Sequence, residues 1–141
     1  MKVSQILADK GSDAWSIGPE ATVFDALELM AEKRIGALLV IEKDRLIGIL
    51  SERDYARKVI LLGRGSRKTP VRDIMSSDPC CIRPEQTVDE AMALMTDKRI
   101  RHLPVVREEV LEGIITIGDL VKAKIADQEF VIQQLENYIT G

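Results

Sequence analysis

An internal duplication constrains this sequence more than any other feature. Ile17–Tyr55 aligns without a gap on Ile82–Leu120, at a shift of 65 residues. Identical pairs include Pro19/Pro84, Thr22/Thr87, Ala26/Ala91, Met30/Met95, Lys33/Lys98, Arg34/Arg99, Ile35/Ile100, Gly48/Gly113 and Asp54/Asp119. A short preceding segment also repeats, because Val3–Leu7 resembles Val71–Met75. Chance does not produce an ungapped match of this kind, so the sequence predicts two copies of one structural unit.

Each copy shows the same order of local signals: strand, helix, strand, strand and helix. Apolar residues recur at i, i+4 and i+7 after Thr22 and Thr87, which predicts an amphipathic helix behind each of these N-caps. The other predicted elements are extended segments at Ser16–Ile17 and Cys81–Ile82, hairpins of Ala37–Ile41 with Leu46–Leu50 and of Leu103–Val106 with Leu111–Thr116, and second helices from Glu52 and Ile117. The hairpin strands are apolar nearly throughout, so we expect both sheet faces to be covered. The predicted fold class is α/β, in the broader sense α+β, with two pseudo-symmetric β-α-β-β-α repeats.

The duplication divides the chain into four predicted parts. Residues 1–62 form the first repeat with its N-terminal prelude, 63–70 a linker, 71–125 the second repeat, and 126–141 a C-terminal amphipathic helix. A unit of this size buries little apolar surface by itself. We therefore expect the two copies to pack sheet to sheet about a pseudo-twofold axis.

Two segments lie outside the repeats. The linker sequence GRGSRKT lacks the second glycine of a P-loop, so it is interpreted as a solvated segment that could lend Arg64 or Arg67 to a phosphate. In the C-terminal helix, Val131, Leu135 and Tyr138 form an apolar stripe. We expect this stripe to pack on a neighbouring element or on a second chain.

Composition and charge argue against several classes of function. The formal net charge is −3, so non-specific nucleic-acid binding through a basic surface is not expected. Apolar runs such as Ala37–Ile41 are five residues long, whereas a membrane-spanning helix needs about 20. The N-terminus lacks the apolar segment of a secretory signal, and the adjacent Cys80 and Cys81 favour a reducing compartment, which we expect to be the cytoplasm. With a single histidine, His102, the sequence offers neither zinc-ligand spacing nor a catalytic triad.

The junction between the last strand and the last helix of each copy is the candidate site. It reads Gly-Ile-Leu-Ser-Glu-Arg-Asp from Gly48 to Asp54, and Gly-Ile-Ile-Thr-Ile-Gly-Asp from Gly113 to Asp119. A hydroxyl three residues before an acidic residue is a common helix N-cap and needs no ligand. The same residues also suit a nucleotide, because a helix N-terminus attracts phosphate and a carboxylate can accept hydrogen bonds from a ribose diol. Both interpretations stay open on this motif alone.

The duplicated pattern resembles a tandem pair of CBS (cystathionine-β-synthase) domains. The segments RIRHLPVV (Arg99–Val106) and GIITIGDL (Gly113–Leu120) are similar to that family's typical sequence motifs. The resemblance extends from Val3 to Ile125. It implies a module with two clefts for adenosine nucleotides such as AMP, ADP or ATP, and in some members S-adenosylmethionine or NAD(H). It also implies a homodimer. Members that consist only of a CBS pair resemble stand-alone regulators, with an enzyme as a common regulated partner, and the chain itself is not expected to be an enzyme or to need a metal.

The resemblance implies that the aspartate of one copy works with the hairpin side of the other. Cleft A would combine Ser51, Arg53 and Asp54 with Cys80, Ile100, Arg101, His102 and Pro104. Cleft B would combine Thr116, Gly118 and Asp119 with Trp15, Ile35, Gly36 and Ala37. Arg53 and Arg101 would give cleft A the cations for phosphate. Cleft B is expected to offer room but no charge, and Leu39, in place of Pro104, is expected to loosen its backbone.

Each singled-out residue also has a simpler structural interpretation. His102 could be a partly buried polar residue, Trp15 could pack in the core rather than stack on adenine, and Cys80 and Cys81 could be inert. The leading hypothesis is a sensor of adenosine nucleotides. Two rivals remain at this stage: a structural dimerisation module with unused clefts, and an enzyme acting on nucleotides.

Overall fold

The computed structural model describes residues 1–11 and 14–140 of the chain. Its helices are α1 (Val3–Lys10), α2 (Val23–Lys33), α3 (Glu52–Tyr55), α4 (Val88–Lys98) and α5 (Ile117–Thr140). Its strands are β1 (Ser16–Ile17), β2 (Ala37–Glu42), β3 (Arg45–Ser51), β4 (Ser76–Ser77), β5 (His102–Arg107) and β6 (Val110–Thr116). The predicted order of helix, hairpin and helix is confirmed in both repeats.

The predicted N-caps of α2 and α4 are also confirmed. The hydroxyl of Thr22 accepts the backbone N–H of Asp25 at 3.1 Å, and that of Thr87 accepts the N–H of Glu90 at 3.1 Å. Each bond satisfies one of the N–H groups that the first turn of a helix leaves without a partner. The two helices therefore begin at equivalent positions, and both are 11 residues long.

The two hairpins have the same register. Leu39 faces Ile49 in the first, Pro104 faces Ile114 in the second, and both ladders shift at the equivalent place two residues before the turn. The expected loosening of the backbone at Leu39 is therefore wrong. The N–H of Leu39 instead donates to the Trp15 carbonyl at 3.1 Å, which adds a hydrogen bond that a proline at this position could not make.

The sheet of the first repeat has four strands in the order β1-β2-β3-β4. β1 runs parallel to β2, while β2–β3 and β3–β4 are antiparallel. A Cβ atom at Gly48 would lie 2.7 Å from the sulfur of Met75 and 2.9 Å from the Ser76 carbonyl oxygen, so β4 can approach β3 only at a glycine. In the second repeat, β5 and β6 form the hairpin, and Ile82 makes a parallel bridge to Val105.

The compact units do not coincide with the sequence repeats. One unit consists of Met1–Asp13 with Cys81–Gly141, and the other of Ala14–Cys80. In the first, the N–H groups of Val3 and Ser4 donate to the carbonyls of Gln86 and Pro84, both at 2.9 Å. In the second, Val71 and Arg72 donate to Ala21 and Pro19 at 2.8 and 2.9 Å. Val3–Leu7, the prelude of the first repeat, thus completes the unit that contains β5 and β6. Val71–Met75, the prelude of the second repeat, completes the unit that contains β2 and β3.

Each unit has an apolar core formed by equivalent positions. In the unit Ala14–Cys80 the core residues are Val23, Ala26, Met30, Leu38, Val40, Leu50, Val59, Val71 and Ile74. Their counterparts in the other unit, among them Val88, Ala91, Met95, Leu103, Val105 and Ile115, are also buried. The cores contain the faces that the sequence periodicity predicts, with the prelude residues Val71 and Ile74 added.

One predicted helix boundary differs in the structure, and the predicted linker makes contacts that the sequence did not indicate. α5 is one continuous helix of 24 residues, because neither proline nor glycine follows Gly118 before its end, whereas the sequence interpretation separated a C-terminal helix from residue 126. The predicted linker, residues 63–70, is exposed at most of its positions, but it also makes specific contacts within its unit. Thr69 is buried with its hydroxyl bonded to the Gly65 carbonyl, Arg64 pairs with Asp73, and Arg67 stacks on the ring of Phe24.

Candidate functional site

The two strand–helix junctions contain most of the candidate residues. We define the Asp54 junction as Gly36–Ala37 with Ser51–Asp54, and the Asp119 junction as Arg101–His102 with Thr116–Asp119. Each lies within one compact unit. The combinations of residues from both repeats that define clefts A and B therefore stay a prediction.

In the Asp54 junction, the end of β3 is held against the start of β2. Ala37 pairs with Ser51, and the N–H of Glu52 donates to the Gly36 carbonyl at 3.0 Å. The Ser51 hydroxyl accepts the N–H of Asp54 at 3.2 Å, while the N–H and hydroxyl of Ser51 lie 2.9 and 3.1 Å from Asp54 Oδ2. The other carboxylate oxygen is 3.6 Å from Lys58 Nζ. The carboxylate is fixed by a capping box and has a cation beside it.

The Asp119 junction has the same backbone arrangement. His102 pairs with Thr116, and the N–H of Ile117 donates to the Arg101 carbonyl at 2.9 Å. The N–H of Thr116 donates to Asp119 Oδ2 at 2.8 Å, and the Thr116 hydroxyl accepts the N–H of Asp119 at 3.1 Å. The structural interpretation of the motif as an N-cap is therefore confirmed in both repeats. Capping does not exclude ligand binding, because an ionised carboxylate has about four acceptor positions.

A lysine from α1 contacts the Asp119 junction. Lys10 Nζ donates to Asp119 Oδ2 at 2.7 Å and to the Ile114 carbonyl at 3.0 Å. The expectation that this end carries no charge is therefore wrong. Lys10 lies 109 residues from Asp119 in the sequence, and no local motif indicates the pair. Lys58 could have been found, because it follows Asp54 by one helical turn.

The contacts of Asp119 act on its pKa in opposite directions. Burial raises the pKa of this carboxyl, but hydrogen bonds from Lys10 and from Thr116, with the charge of Lys10, outweigh it and hold the pKa below its usual value. Asp119 is therefore ionised at neutral pH. A carboxylate in this state accepts hydrogen bonds and does not donate them.

The remaining candidates in the unit Ala14–Cys80 differ in exposure. Trp15 is 42% exposed, and Lys33 Nζ lies 4.2 Å from the centroid of its ring. The expected packing of Trp15 in the core is therefore wrong, since its ring is at the surface in a cation–π contact. Arg53 is exposed, Ile35, Gly36 and Cys80 are half-buried, and Ala37 is buried.

The candidates in the other unit lie around β5 and the start of α5. Arg101 and Gly118 are exposed, Ile100 and His102 are half-buried, and Pro104 is buried with its carbonyl accepting the N–H of Ile82 at 2.9 Å. A cavity of about 320 Å³ borders Asp119 and is lined by Met1, Ile6, Asp9, Lys10, Asp119, Lys122, Ala123 and Ala126. Its lining combines two lysines and two aspartates with apolar side chains.

Two further features concern metal binding and membrane insertion. Among the residues that the structure describes, no group of three or more histidine, cysteine, aspartate or glutamate side chains has metal-binding geometry. Within residues 1–11 and 14–140, no helix is both long and apolar enough to cross a membrane.

Comparisons with known proteins agree with this architecture. A family model of the CBS domain matches residues 3–60 and 71–126. The mitochondrial CBS domain-containing protein CBSX3 of Arabidopsis thaliana is 40% identical, over 99% of this chain and 72% of its own length. A solved CBS-domain structure from Burkholderia ambifaria MC40-6 is 50% identical, with a TM-score of 0.87 over 91% of this chain and 96% of that one. The hexameric CBS-CP12 protein of bloom-forming cyanobacteria is 30% identical, with a TM-score of 0.78 over 86% of this chain and 70% of that one.

The fold, the repeated junctions and these matches define a protein built from two copies of one α/β unit, each with a capped aspartate at a strand–helix junction. The chain belongs to the CBS domain family and contains two CBS domains in tandem.

Proposed function

We propose that this chain is a regulatory module that binds an adenosine nucleotide and transmits its occupancy through a homodimer or to an enzyme partner. The candidate ligands are AMP, ADP, ATP, NAD(H) and S-adenosylmethionine. Membership of the CBS family supports a regulatory role, and the hexameric relative supports self-association. A reducing compartment such as the cytoplasm suits the two thiols Cys80 and Cys81.

The observation that carries the proposal is the pair of matching junctions. Each holds a carboxylate at a fixed position, with a hydroxyl group and a lysine within its reach: Ser51 and Lys58 at Asp54, Thr116 and Lys10 at Asp119. Adjacent ribose hydroxyls can each donate to such a carboxylate, as acidic residues do in dinucleotide-binding folds. A helix cap needs no cation. A ligand with a ribose beside a phosphate uses the carboxylate for the ribose and the lysine for the phosphate.

The phosphate would be held by arginine in cleft A. Arg53 directly precedes Asp54, and Arg101 belongs to the segment before β5; both are exposed. A guanidinium group binds phosphate through two parallel hydrogen bonds, which are stronger than neutral ones. In cleft B, Lys10 is the nearest cation to Asp119, but part of its charge is compensated by that carboxylate. We therefore expect cleft A to bind the phosphate-bearing ligand more tightly.

The adenine base would find an aromatic surface at Trp15. Its ring is at the surface, with Lys33 near it. An exposed indole offers stacking area to a base, and base–aromatic stacking tolerates a cation close to the ring. Trp15 therefore remains a candidate contact of cleft B.

The Asp119 carboxylate also argues for binding rather than catalysis. A general acid or base needs a pKa near the working pH, whereas the contacts of Asp119 lower its pKa further. Asp119 then serves as a fixed acceptor and not as a proton donor. This supports a sensor over an enzyme acting on nucleotides, and the absence of turnover with AMP, ATP or NADH is the corresponding expectation.

The direct test is thermal unfolding of the purified protein with each candidate ligand at millimolar concentration. A ligand at 100 times its dissociation constant adds about 2.7 kcal/mol to the free energy of unfolding. We expect a rise in melting temperature with at least one of the five adenosine compounds and none with GMP or inorganic phosphate. Five flat profiles would favour the structural dimerisation module instead.

Calorimetry on variants tests the cleft assignment. Arg101→Ala should weaken AMP binding about tenfold or more, since a hydrogen bond to a charged group contributes about 1.5–3 kcal/mol and 1.4 kcal/mol is one decade. Arg107→Ala is the matched control, because Arg107 is an exposed arginine at the far end of β5 and is paired with Glu112. Asp54→Asn should weaken the tight site, and Asp119→Asn should leave it largely intact. The reverse result would mean that the two clefts are wrongly assigned.

A further inference from the structure

α5 has an exposed apolar seam with coiled-coil spacing. The residues Val121, Ile125, Gln128, Ile132, Leu135 and Ile139 follow one another at intervals of four, three, four, three and four. The five apolar members are between 43% and 80% exposed. This alternation keeps the residues on one narrow stripe that supercoils against a partner helix. The seam differs from the Val131–Leu135–Tyr138 stripe noted in the sequence, which runs along its edge.

The residue types at the seam favour a second copy of the same helix. Ile125, Ile132 and Ile139 occupy the a positions of the heptad, and Val121 and Leu135 occupy d positions. Isoleucine at a with leucine at d favours parallel two-stranded coiled coils; all three a positions fit this combination, and Leu135 is the d position that fits it. Packing against a helix of different sequence would not require isoleucine at every a position.

The polar member of the seam indicates the orientation. Gln128 is a d residue, and in a parallel pair the two Gln128 side chains would face each other and exchange amide hydrogen bonds. In an antiparallel pair, where d residues face a residues, Gln128 would face one of the seam isoleucines and lose a partner for its amide. Buried polar groups without partners cost free energy, so the parallel arrangement is favoured.

The flanking charges are complementary in the same register. Lys124 is a g residue and Glu129 is the e residue five positions later, which is the spacing of the salt bridge between parallel chains. Lys124 Nζ already donates to Asp89 at 2.8 Å within its own chain. An ammonium group has three donors, so a second carboxylate can bind the same nitrogen.

The start of α5 is already ordered. Leu120 and Ala123 are buried in the core of their unit, so the first turns of the helix are fixed before any pairing occurs. An isolated helix with fewer than three heptads would be marginal in water. The fixed start removes part of that ordering cost, and the seam extends for about 27 Å at 1.5 Å per residue.

We propose that the α5 helices of two copies of this chain pair in parallel along the seam Val121–Ile139. This interface does not depend on nucleotide binding. It assigns the exposed C-terminal half of α5 to self-association.

The first experiment measures mass by light scattering across a range of protein concentrations. We expect a mass of twice 15.7 kDa for the unmodified chain at tens of micromolar. Ile132→Glu should raise the dimer dissociation constant at least about 100-fold, since it places an unpaired charge in the interface. Phe130→Glu is the control, because Phe130 lies outside the seam on the same helix and is 65% exposed, against 54% for Ile132. Circular dichroism and thermal unfolding establish that both variants are folded.

The second experiment tests the orientation. In a Cys80→Ser, Cys81→Ser background, Leu135→Cys should form an intermolecular disulfide under glutathione oxidation, because equivalent d residues meet in a parallel pair. Asn137→Cys, on the opposite side of the helix, should not. A monomeric unmodified chain, an unchanged dimer in Ile132→Glu, or equal cross-linking at both cysteines would each overturn the proposal.

Discussion

At the scale of single residues, the ion pair between Lys10 and Asp119 is the most informative contact. Lys10→Met should raise the pKa of Asp119, because the substitution removes both a hydrogen bond and a nearby positive charge. Carbon-detected NMR titration of the Asp119 carboxyl measures this directly. Lys124→Met is the control: Lys124 pairs with Asp89 at a similar distance, and its loss should leave the pKa of Asp119 unchanged.

The same pair has a consequence for stability in acid. The pKa of Asp119 is lower in the folded chain than the usual value of about 3.9. Its contribution is therefore present at neutral pH and is lost as the pH falls through the folded-state pKa, because the unfolded chain binds the proton first. In Lys10→Met this loss should be smaller, so urea unfolding between pH 5 and 3 should show a shallower decline. A steeper decline would contradict the assignment.

Some residues of the site could be predicted from the sequence, and others could not. Ser51 and Thr116 could be predicted as caps because the whole motif lies within four consecutive residues. Lys10 could not, because its partner is distant in sequence and its position has no equivalent in the second repeat. The surface position of Trp15 also escaped prediction, since composition does not distinguish an indole in a core from one that contacts a lysine.

At the scale of secondary-structure elements, the approach of β4 to β3 depends on Gly48. Gly48→Ala would place a Cβ atom 2.9 Å from the Ser76 carbonyl oxygen, and backbone cannot move aside as a flexible side chain can. We expect a loss of about 1–3 kcal/mol in the free energy of unfolding, as for overpacked sites generally. Urea denaturation measures the change.

Gly118→Ala provides the matched control for this substitution. Gly118 lies in the first turn of α5, and an added Cβ would meet only the Thr116 hydroxyl, at an ordinary 3.5 Å. Alanine is favoured over glycine in a helix by up to about 1 kcal/mol. The free energy of unfolding should stay unchanged or rise. Equal destabilisation by both substitutions would show that the contact with β4 is not the cause.

Sequence periodicity predicted these elements well where the signal was local. The hairpins and the N-caps of α2 and α4 follow from apolar runs and from capping residues at fixed spacing. The length of α5 did not follow, because the repeat ends near residue 125 while the helix continues through it. The helix after β3 also differs: α3 has four residues and continues as a π-helical turn from Ala56 to Ile60, a widening that periodicity does not reveal.

At the scale of the whole molecule, the two preludes distinguish structural units from sequence repeats. The alignment shows that Val3 and Val71 are equivalent, but it does not show which repeat each one completes. In the structure, both side chains are fully buried, and each prelude is hydrogen-bonded to the loop before the first helix of the other repeat's unit. Nearby segments of the chain would otherwise be expected to pack together, since the closure of short loops costs least entropy.

Because each prelude packs in the unit of the other repeat, a cavity in one prelude should destabilise the hairpin of the other repeat. Val3→Ala leaves a cavity in the unit that contains β5 and β6, at a cost of about 2 kcal/mol for a buried aliphatic truncation. Amide hydrogen exchange should then speed up in β5 and β6 and change less in β2 and β3. Val71→Ala should do the opposite, since Val71 belongs to the core of Ala14–Cys80. The two variants serve as controls for each other, because they remove the same methyl groups at equivalent positions. If Val3→Ala instead sped up amide hydrogen exchange in β2 and β3, each prelude would belong to the repeat that follows it in sequence. The packing of each prelude in the other repeat's unit would then be refuted.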